Sequence, residues 1–175
     1  MSMNDAYRPA GKDYLHVNDD IKLKLDWDYI ERLKSTAAGD QEHKCMMCLH
    51  NDIRSHVHEI INVYPEGAYV RPHYHPFKTE TKIMIEGKMQ VVVFDQMGEI
   101  IDEFVMNKDG IFIFRLDRGI IHTNIPLTDV VFYEVIEGPY KGKDDSIFPD
   151  WAPDPTDNEN VRIIMEKIKN ISRQD

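Results

Sequence analysis

Residues 56–137 carry a succession of short segments rich in β-branched and aromatic side chains, with no interval long enough for a helix. Segments of this composition favour β-strands. We expect strands over residues 57–64, 68–75, 79–87, 88–95, 99–106, 110–115 and 130–137. Turn signals separate them, at residues 65–67, 86–88, 95–98, 107–110 and 118–119.

Strands that follow one another through short turns form antiparallel sheets. Seven or eight of them predict an all-β (mainly β) fold, which is a sandwich, a jelly roll or a barrel. Before them, residues 21–25 alternate as in a short strand. Asp26 is placed to cap a helix over residues 27–38, and Gly39 to end it. The apolar residues at helical spacing are Trp27, Ile30, Leu33 and Ala37.

The C-terminal part begins with a Pro- and Asp-rich connection, residues 139–155. Thr156 and Glu159 have the spacing of a capping box at the start of a closing helix. The apolar stripe of that helix is Val161, Ile164, Met165, Ile168 and Ile171. We therefore expect one domain in three parts: an N-terminal lead-in (1–55), a barrel (56–137) and a loop with a packed helix (138–175).

Charge and composition exclude several classes of protein. The sequence has 175 residues and a formal net charge of -10. An acidic chain without a basic stripe repels nucleic acid and anionic membranes. Neither a signal-peptide core nor an apolar run of about 20 residues is present. We expect a cytoplasmic protein whose cysteines, Cys45 and Cys48, are reduced thiols; the alternative is a small metal site with His43 and His50.

Two histidines and a glutamate stand close together in the stretch HYHPFKTE. His73 and His75 are two residues apart, so on a strand they point the same way, together with Arg71. A turn at residues 76–77 is expected to fold the next strand back beside the first and bring Glu80 near both imidazoles. This donor set suits one divalent transition metal ion, such as Fe, Mn, Ni or Zn.

A further ligand should come from a distant strand. His122 follows a glycine turn in an apolar stretch, where an unpartnered imidazole would be costly. His56 and His58 form a second pair, but no acid follows at a similar spacing, and we do not expect them to bind metal. His16 and His43 lie in polar segments and are expected to be exposed.

These residues give the sequence its resemblance to the cupin superfamily. The matching positions are Gly67, His73, His75, Glu80 and Gly87 in the first cupin motif, and Gly110, Gly119 and His122 in the second. The second motif has Leu116 or Asp117 where the superfamily usually has a proline. Asn124 lies close to, but not at, the position where the superfamily usually has an asparagine. The resemblance covers residues 56–137. It implies a double-stranded β-helix with a metal bound by the three motif histidines and the glutamate.

A narrower resemblance is to the WbuC family of small cupin metalloproteins. It rests on residues 48–50, 69–75, 91–100, 120–123, 134–140 and 150–154. It implies an association with bacterial polysaccharide metabolism. A metal-dependent enzyme acting on a sugar or nucleotide-sugar-like molecule, by an isomerase or epimerase type of step, is the function it favours.

Five more side chains are expected to line the same cavity: Arg71, Tyr64, Lys82, Tyr133 and Asn124. An arginine is well shaped to grip a carboxylate or phosphate. Other interpretations stay open at this point. Arg71 also suits an ion pair at the rim, Lys82 suits a solvated strand position, and the two tyrosines suit packing.

Two alternative functions remain beside the isomerase-type enzyme. One is an Fe(II) dioxygenase with the same ligands, and the other is a cupin that binds a small ligand without chemistry. One glutamate against a divalent ion leaves local positive charge, so the expected ligand is anionic or sugar-like. A homodimer through an edge strand or the N-terminal segment is a further expectation.

Overall fold

The computed structural model describes residues 15–17, 24–39 and 44–171. Over these residues the chain forms nine β-strands and two α-helices, with a short 3₁₀ helix at Gly142–Asp144. The elements in chain order are β1 (Leu15–Val17), α1 (Trp27–Gly39), β2 (Cys45–Cys48), β3 (Val57–Tyr64), β4 (Glu80–Glu86), β5 (Lys88–Phe94), β6 (Ile100–Asn107), β7 (Ile113–Leu116), β8 (Ile121–Pro126), β9 (Val130–Glu137) and α2 (Asn158–Ile171).

The strands form two facing sheets. The larger has the order β1-β2-β3-β9-β4-β7, and the smaller has the order β6-β5-β8. Neighbours are antiparallel except for the parallel pair β1 and β2. The mainly β jelly-roll barrel expected from the sequence is confirmed. Because β2 pairs with β3, the larger sheet begins before residue 56.

Most predicted strands are present, and two have the predicted bounds. β3 and β9 match the predicted segments, and β4 to β7 lie within the others or overlap them. The prediction for residues 68–75 is wrong, since only His73 and Tyr74 there form isolated bridges. Pro72, which has no N–H to donate, interrupts that segment. β1, β2 and β8 were not among the predicted strand segments, although His122 was expected to lie on a distant strand.

The N-terminal helix is capped as expected. The backbone N–H of Tyr29 donates to Asp26 Oδ1 over 2.9 Å. The buried side chains of α1 pack on the outer face of the larger sheet, but Trp27 is 60% exposed and does not join them. The strand expected at residues 21–25 is not formed at residues 24 and 25, and residues 21–23 lie outside the described ones. The side chains of His16 and His43 also lie outside the described residues, so their expected exposure stays a prediction.

The closing helix begins one residue later than the capping box predicts. Asp157 caps α2, since its Oδ1 accepts from the backbone N–H of Asn160 over 3.2 Å. Thr156 instead donates its hydroxyl to Asp154 over 2.7 Å. Side chains of α2, Ile168 foremost, pack on the outer face of the smaller sheet, while Ile171 lies outside the described side chains. No helix in the described ranges is both long and apolar enough to span a bilayer.

Candidate metal centre and cavity

Backbone pairing brings two of the predicted ligands together. The N–H of His73 donates to the carbonyl of His122 over 3.0 Å, and the N–H of His122 donates back over 2.9 Å. Their rings lie 4.6 Å apart, and the His75 ring lies 5.1 Å from that of His73. The predicted pairing of this segment with the strand of Glu80 is wrong, because β4 pairs with β7 and β9 instead.

Each of the three histidines is held by a backbone carbonyl. Nδ1 of His73 lies 2.8 Å from the Arg71 carbonyl, Nδ1 of His75 lies 2.7 Å from that of Asp145, and Nδ1 of His122 lies 3.1 Å from that of Ile120. A carbonyl only accepts, so Nδ1 carries the hydrogen in all three. The neutral ring then presents a bare Nε2 lone pair, the atom that a metal binds.

Burial keeps two of these rings neutral. It lowers the pKa of His73 well below its ordinary value, with further lowering from His122 and His75. Burial also lowers the pKa of His75, although Glu80 acts in the opposite direction. A neutral imidazole is the form that coordinates a metal ion.

Glu80 projects from the first position of β4 into the same space, where its side chain is 3% exposed. Its Oε1 lies 2.8 Å from His122 Nε2, and its Oε2 lies 4.0 Å from His75 Nε2. Oε1 and His122 Nε2 are not aligned as acceptor and donor, and neither has a hydrogen-bond partner among the described residues. Buried polar atoms without partners cost several kcal/mol, roughly 1–3 each.

A divalent ion would satisfy both orphaned atoms. Donors bound to one ion at about 2.1 Å and at right angles lie about 3 Å apart, close to the separation seen here. Among the described residues, no three His, Cys, Asp or Glu side chains are placed so that together they could hold a metal ion. Glu80 also forms an ion pair with a lysine. The chemistry of the donor set and the two orphaned atoms nevertheless fit a transition metal.

That lysine is Lys82, which is fully buried rather than solvated. Its Nζ lies 2.6 Å from Glu80 Oε2 and 3.4 Å from Glu134 Oε1. Burial lowers the pKa of Lys82, but the two carboxylates raise it by more, so it lies above the ordinary value. Burial alone would raise the pKa of Glu80, and the Lys82 charge, followed by His122, holds it well below its usual range.

Glu134 is a functional candidate that the sequence reasoning missed. It lies directly beside Lys82 on the neighbouring strand β9 and faces the barrel interior. Burial and the charge of Glu80 outweigh the attraction of Lys82 and raise the pKa of Glu134 to about 7. The sequence did contain a signal for Glu134. It lies two residues from Phe132 and from Ile136, which both face inward, so strand alternation places it on the same face.

Inside the barrel is a cavity of about 300 Å³ lined in part by His73, His75, Lys82 and Glu134. Of the five cavity residues predicted from the sequence, three line it: Tyr64, Lys82 and Asn124. Asn124 is buried, and its Oδ1 has no hydrogen-bond partner among the described residues. It lies two residues after His122 on β8, so both side chains point into the barrel.

Arg71 does not reach this cavity. Its Nε donates to the carbonyl of Ala152 over 3.1 Å, and its guanidinium pairs with Asp154 at 3.3 Å. It also lies over the Phe148 ring at 4.6 Å. The alternation argument failed because residues 69–72 are not a regular strand. Arg71 therefore forms an ion pair at the rim, as the alternative interpretation of the sequence expected.

Tyr133 points to the other face of the larger sheet. It packs in the cluster under α1, and its hydroxyl bonds Glu59. Strand alternation puts Phe132 and Glu134, its neighbours, on the cavity side. Tyr133 is therefore a packing residue.

The far wall of the cavity contains Cys48, a stacked pair of histidines and a second buried lysine. The rings of His50 and His58 lie 4.0 Å apart and nearly parallel. Lys78 Nζ lies 2.5 Å from Asp145. Cys45 and Cys48 are reduced thiols at opposite faces of β2, Cys45 under α1 and Cys48 in the cavity, as odd spacing on a strand requires.

Part of the connection 139–155 closes over the histidines. Tyr74 and Ile147 exchange two backbone hydrogen bonds of 3.0 and 2.9 Å. This pairing places Asp145, whose carbonyl accepts from His75, and Ser146 at the edge of the cavity. The connection is therefore built into the site.

Comparisons with known proteins bear on the fold. A family model described as a domain of unknown function, DUF6016, matches residues 25–106. A search of curated proteins finds no match. The capsular polysaccharide assembling protein CapF from Staphylococcus aureus is similar in structure, with 19% identity, a TM-score of 0.52, and coverage of 62% of this chain and 32% of CapF. A recombinant oxalate oxidase in complex with glycolate has 16% identity, a TM-score of 0.50 and 73% coverage of each chain.

These two structures are cupin-fold proteins, and the likeness defines the fold of this chain as a cupin jelly-roll barrel with a helix at each end. The chain spans about a third of the length of CapF. Inside this barrel the rings of His73, His75 and His122 and the Glu80 carboxylate lie close together, and His73 and His75 line one end of the cavity.

Proposed function

We propose that the chain is a metal-binding cupin in which His73, His75, Glu80 and His122 hold one divalent transition metal ion. One observation carries the proposal. All three imidazoles have Nδ1 fixed by a backbone carbonyl, which leaves bare Nε2 atoms around a buried carboxylate with an orphaned oxygen. Fe, Mn, Ni and Zn all accept such a ligand set.

Four protein ligands leave one or two positions of a five- or six-coordinate ion for a small molecule. An ion bound there supplies positive charge to an oxygen of the ligand. Tyr64 and Asn124 extend from the cavity wall to orient the rest of it.

The buried carboxylate of Glu134 supports an enzyme rather than a simple binding protein. It faces the cavity next to Lys82, 3.4 Å away, and is held in place by strand β9. A carboxylate in this position can take the proton from a carbon next to a carbonyl, while the electron pair of that C–H bond moves toward the carbonyl oxygen. Return of the proton to another face or carbon gives an epimerisation or isomerisation.

The WbuC-like stretches support bacterial polysaccharide metabolism as the setting. They include EVIEGPY at residues 134–140, which contributes Glu134, Ile136 and Tyr140 to the cavity wall. They also include DWAPD at residues 150–154, which lies outside the cavity and holds Arg71 through Ala152 and Asp154. The polysaccharide setting is part of the proposal.

Metal content tests the first half of the proposal. Elemental analysis of the purified protein should give about one transition metal ion per chain, and His122→Ala should lose most of it. His56→Ala, a change at an exposed histidine, is the matched control and should retain it. A wild-type protein that stays metal-free after incubation with each of the four metals contradicts the proposal.

Hydrogen exchange tests the second half of the proposal, which is proton transfer by Glu134. The metal-loaded protein in D₂O is given small carbonyl compounds and acids, and incorporation of deuterium next to the carbonyl is followed by NMR. Glu134→Gln should slow exchange by about 100-fold or more with metal content unchanged. Glu137→Gln, an exposed position on the same strand, should leave the rate unchanged. A ligand that binds and never exchanges would favour a binding protein without catalysis.

A further inference from the structure

The larger sheet ends in an edge that carries exposed apolar side chains. Among the described strands, β7 is paired on one side only, with β4. Ile111 and Phe112, which lead into β7, and Ile113, its first residue, are each about half exposed. Proteins usually protect a free edge with charges, proline or a bulge, because it pairs readily with another strand. These three consecutive positions have none of those protections.

The strand register shows which backbone groups of β7 face the free edge. The N–H of Met84 on β4 donates to the carbonyl of Phe112 over 2.8 Å, so these two residues form a hydrogen-bonded pair. Such pairs alternate along an antiparallel ladder with pairs that exchange no hydrogen bond. The N–H and C=O groups of Ile113 and Arg115 therefore point away from β4. Among the described residues, no backbone group of another segment bonds to them.

Two other sheet edges are less suited to pairing with a second copy. β6 carries Asp102 and Glu103 at its centre, and two copies of it would bring these acids together. β1, at the opposite end of the larger sheet, has only three residues. The net charge of -10 makes most surfaces of two copies repel each other. At β7 the charge of Arg115 is compensated by Asp117, 2.8 Å away.

The exposed apolar surface at this edge has the size that a dimer needs. Val105 of β6 joins it, because the next residue, Met106, forms a bridge with Ile111. The four side chains present on the order of 350 Å² of apolar surface, and we call them the β7 patch (Val105, Ile111, Phe112 and Ile113). An interface of standard size buries about 800 Å² on each partner, of which roughly 450 Å² is apolar. The β7 patch therefore supplies most of that apolar area.

We propose that two copies of the chain associate through β7, which pairs antiparallel with β7 of the second copy and joins the two larger sheets. Ile113 lies opposite Arg115 of the second copy, and Arg115 lies opposite its Ile113. Each copy then uses both outward-facing residues, which gives about four backbone hydrogen bonds across the interface. A register with Arg115 opposite itself would place like charges together. Of the edges at which a homodimer was expected, β7 is the one that charge and exposed side chains favour.

Sedimentation velocity of the full-length protein tests the association without any metal or ligand. The wild type should sediment at about 50 µM as a dimer, with twice the chain mass of 20.5 kDa. Phe112→Ser should weaken the dimer at least about tenfold, because it removes the largest side chain of the β7 patch. Met97→Ser is the matched control and should not weaken it. Met97 is 80% exposed in the turn before β6, at the other end of that strand from the β7 patch.

A pair of charge variants tests the register. Ile113→Asp places a carboxylate opposite Arg115 of the second copy, whereas Ile113→Arg places a second guanidinium there. The dimer of Ile113→Arg should dissociate at least about tenfold more readily than that of Ile113→Asp, because each dimer contains this contact twice. Both variants replace the same half-exposed apolar side chain with a charged one, so the loss of apolar area cannot produce the difference. Equal dissociation constants would contradict the proposal.

Amide hydrogen exchange, followed by NMR, locates the pairing in the wild-type protein, whether or not the variants fold. The N–H groups of Phe114 and Leu116 bond to β4 in any state of association and should be protected. Those of Ile113 and Arg115 bond only across the dimer, so at about 500 µM their exchange should be slowed to a similar degree.

Two outcomes overturn the inference. One is a protein that is monomeric at about 500 µM, which would leave the β7 patch to a different partner. The other is a dimer in which Ile113 and Arg115 exchange at least about 100-fold faster than Phe114 and Leu116, which would place its interface elsewhere.

Discussion

Lys82 and Glu80 form an ion pair inside the barrel, with Nζ 2.6 Å from Oε2 and both side chains nearly inaccessible to solvent. Glu80 is also a proposed metal ligand, so lysine and metal compete for the same carboxylate. Lys82 then acts as the counter-charge of Glu80 whenever no ion is bound. Lys82 therefore holds the Glu80 carboxylate in place and weakens its binding to a metal ion.

Lys82→Met should therefore tighten metal binding by at least about tenfold, because it removes a positive charge a few ångströms from the ion. The metal-free variant should be less stable by about 3–5 kcal/mol, since the buried Glu80 charge loses its partner. Chelator competition measures the affinity. Lys78→Met is the control: that lysine is equally buried but pairs with Asp145, and its loss should leave metal affinity unchanged. Unchanged or weaker binding in Lys82→Met would refute the competition.

Stability should depend on pH through His58. Burial, followed by the charges of His50 and Lys78, lowers the pKa of His58 to about 4. In the unfolded chain it is about 6.5, so between these values the unfolded state binds a proton that the folded state does not. The free energy of unfolding should fall by about 2 kcal/mol from this group as the pH drops from 7 to 4.

Urea unfolding of the metal-free protein at several pH values measures this effect. His58→Gln should have a shallower pH dependence over that range, although it is less stable at pH 7. His56→Gln, at an exposed position, should follow the wild type. Parallel curves for His58→Gln and the wild type would show that His58 is not the titrating group.

Gly138 allows the chain to pass directly against β3. A Cβ there would overlap the Ser55 carbonyl oxygen and approach the His58 ring to 2.8 Å. Gly138→Ala should lower stability by more than about 2 kcal/mol. Gly39→Ala, at a helix end where a Cβ meets no atom within 4 Å, should be neutral or stabilising by up to about 1 kcal/mol. Equal stability of the two variants in thermal unfolding would contradict the close approach.

Arg71 should matter for stability and not for ligands. Arg71→Met removes its contacts with Asp154, Ala152 and Phe148, worth about 1–2 kcal/mol together. The His73 ring keeps its bond to the backbone carbonyl of residue 71. Metal content should stay at the wild-type value while the melting temperature falls by a few degrees. A loss of metal at an unchanged melting temperature would show instead that Arg71 acts at the site.

The sequence predicted the elements whose signals are local. Asp26 caps α1 as expected, and the strands β3 and β9 have the predicted bounds. The motif spacing also identified His73 and His122, which the fold pairs through their backbones. Strand propensity, turn residues and caps depend on neighbours in sequence, so these features could be predicted from one chain.

The errors occur where tertiary contacts decide. The Asp- and Pro-rich connection pulls Arg71 outward through Asp154, and no local pattern contains that contact. Residues 130–137 are apolar on both faces because α1 covers one and the cavity lies on the other. Alternation grouped Glu134 with Phe132 and Ile136, but it could not show which of the two buried faces lies on the cavity and which lies under α1. β8 was missed because His122, Thr123 and Asn124 follow one another in it, and only the barrel buries such a polar run.

X-ray absorption spectroscopy of the metal-loaded protein tests the central claim most directly. Three imidazoles and one carboxylate predict a first shell of nitrogen and oxygen only, at about 2.1 Å, with the outer-shell scattering of about three histidine rings. Loss of one ring in His122→Ala should follow. Sulfur at about 2.3 Å, which would place the ion at Cys48, or scattering from fewer than two rings in the wild type, would contradict a centre built from these four residues.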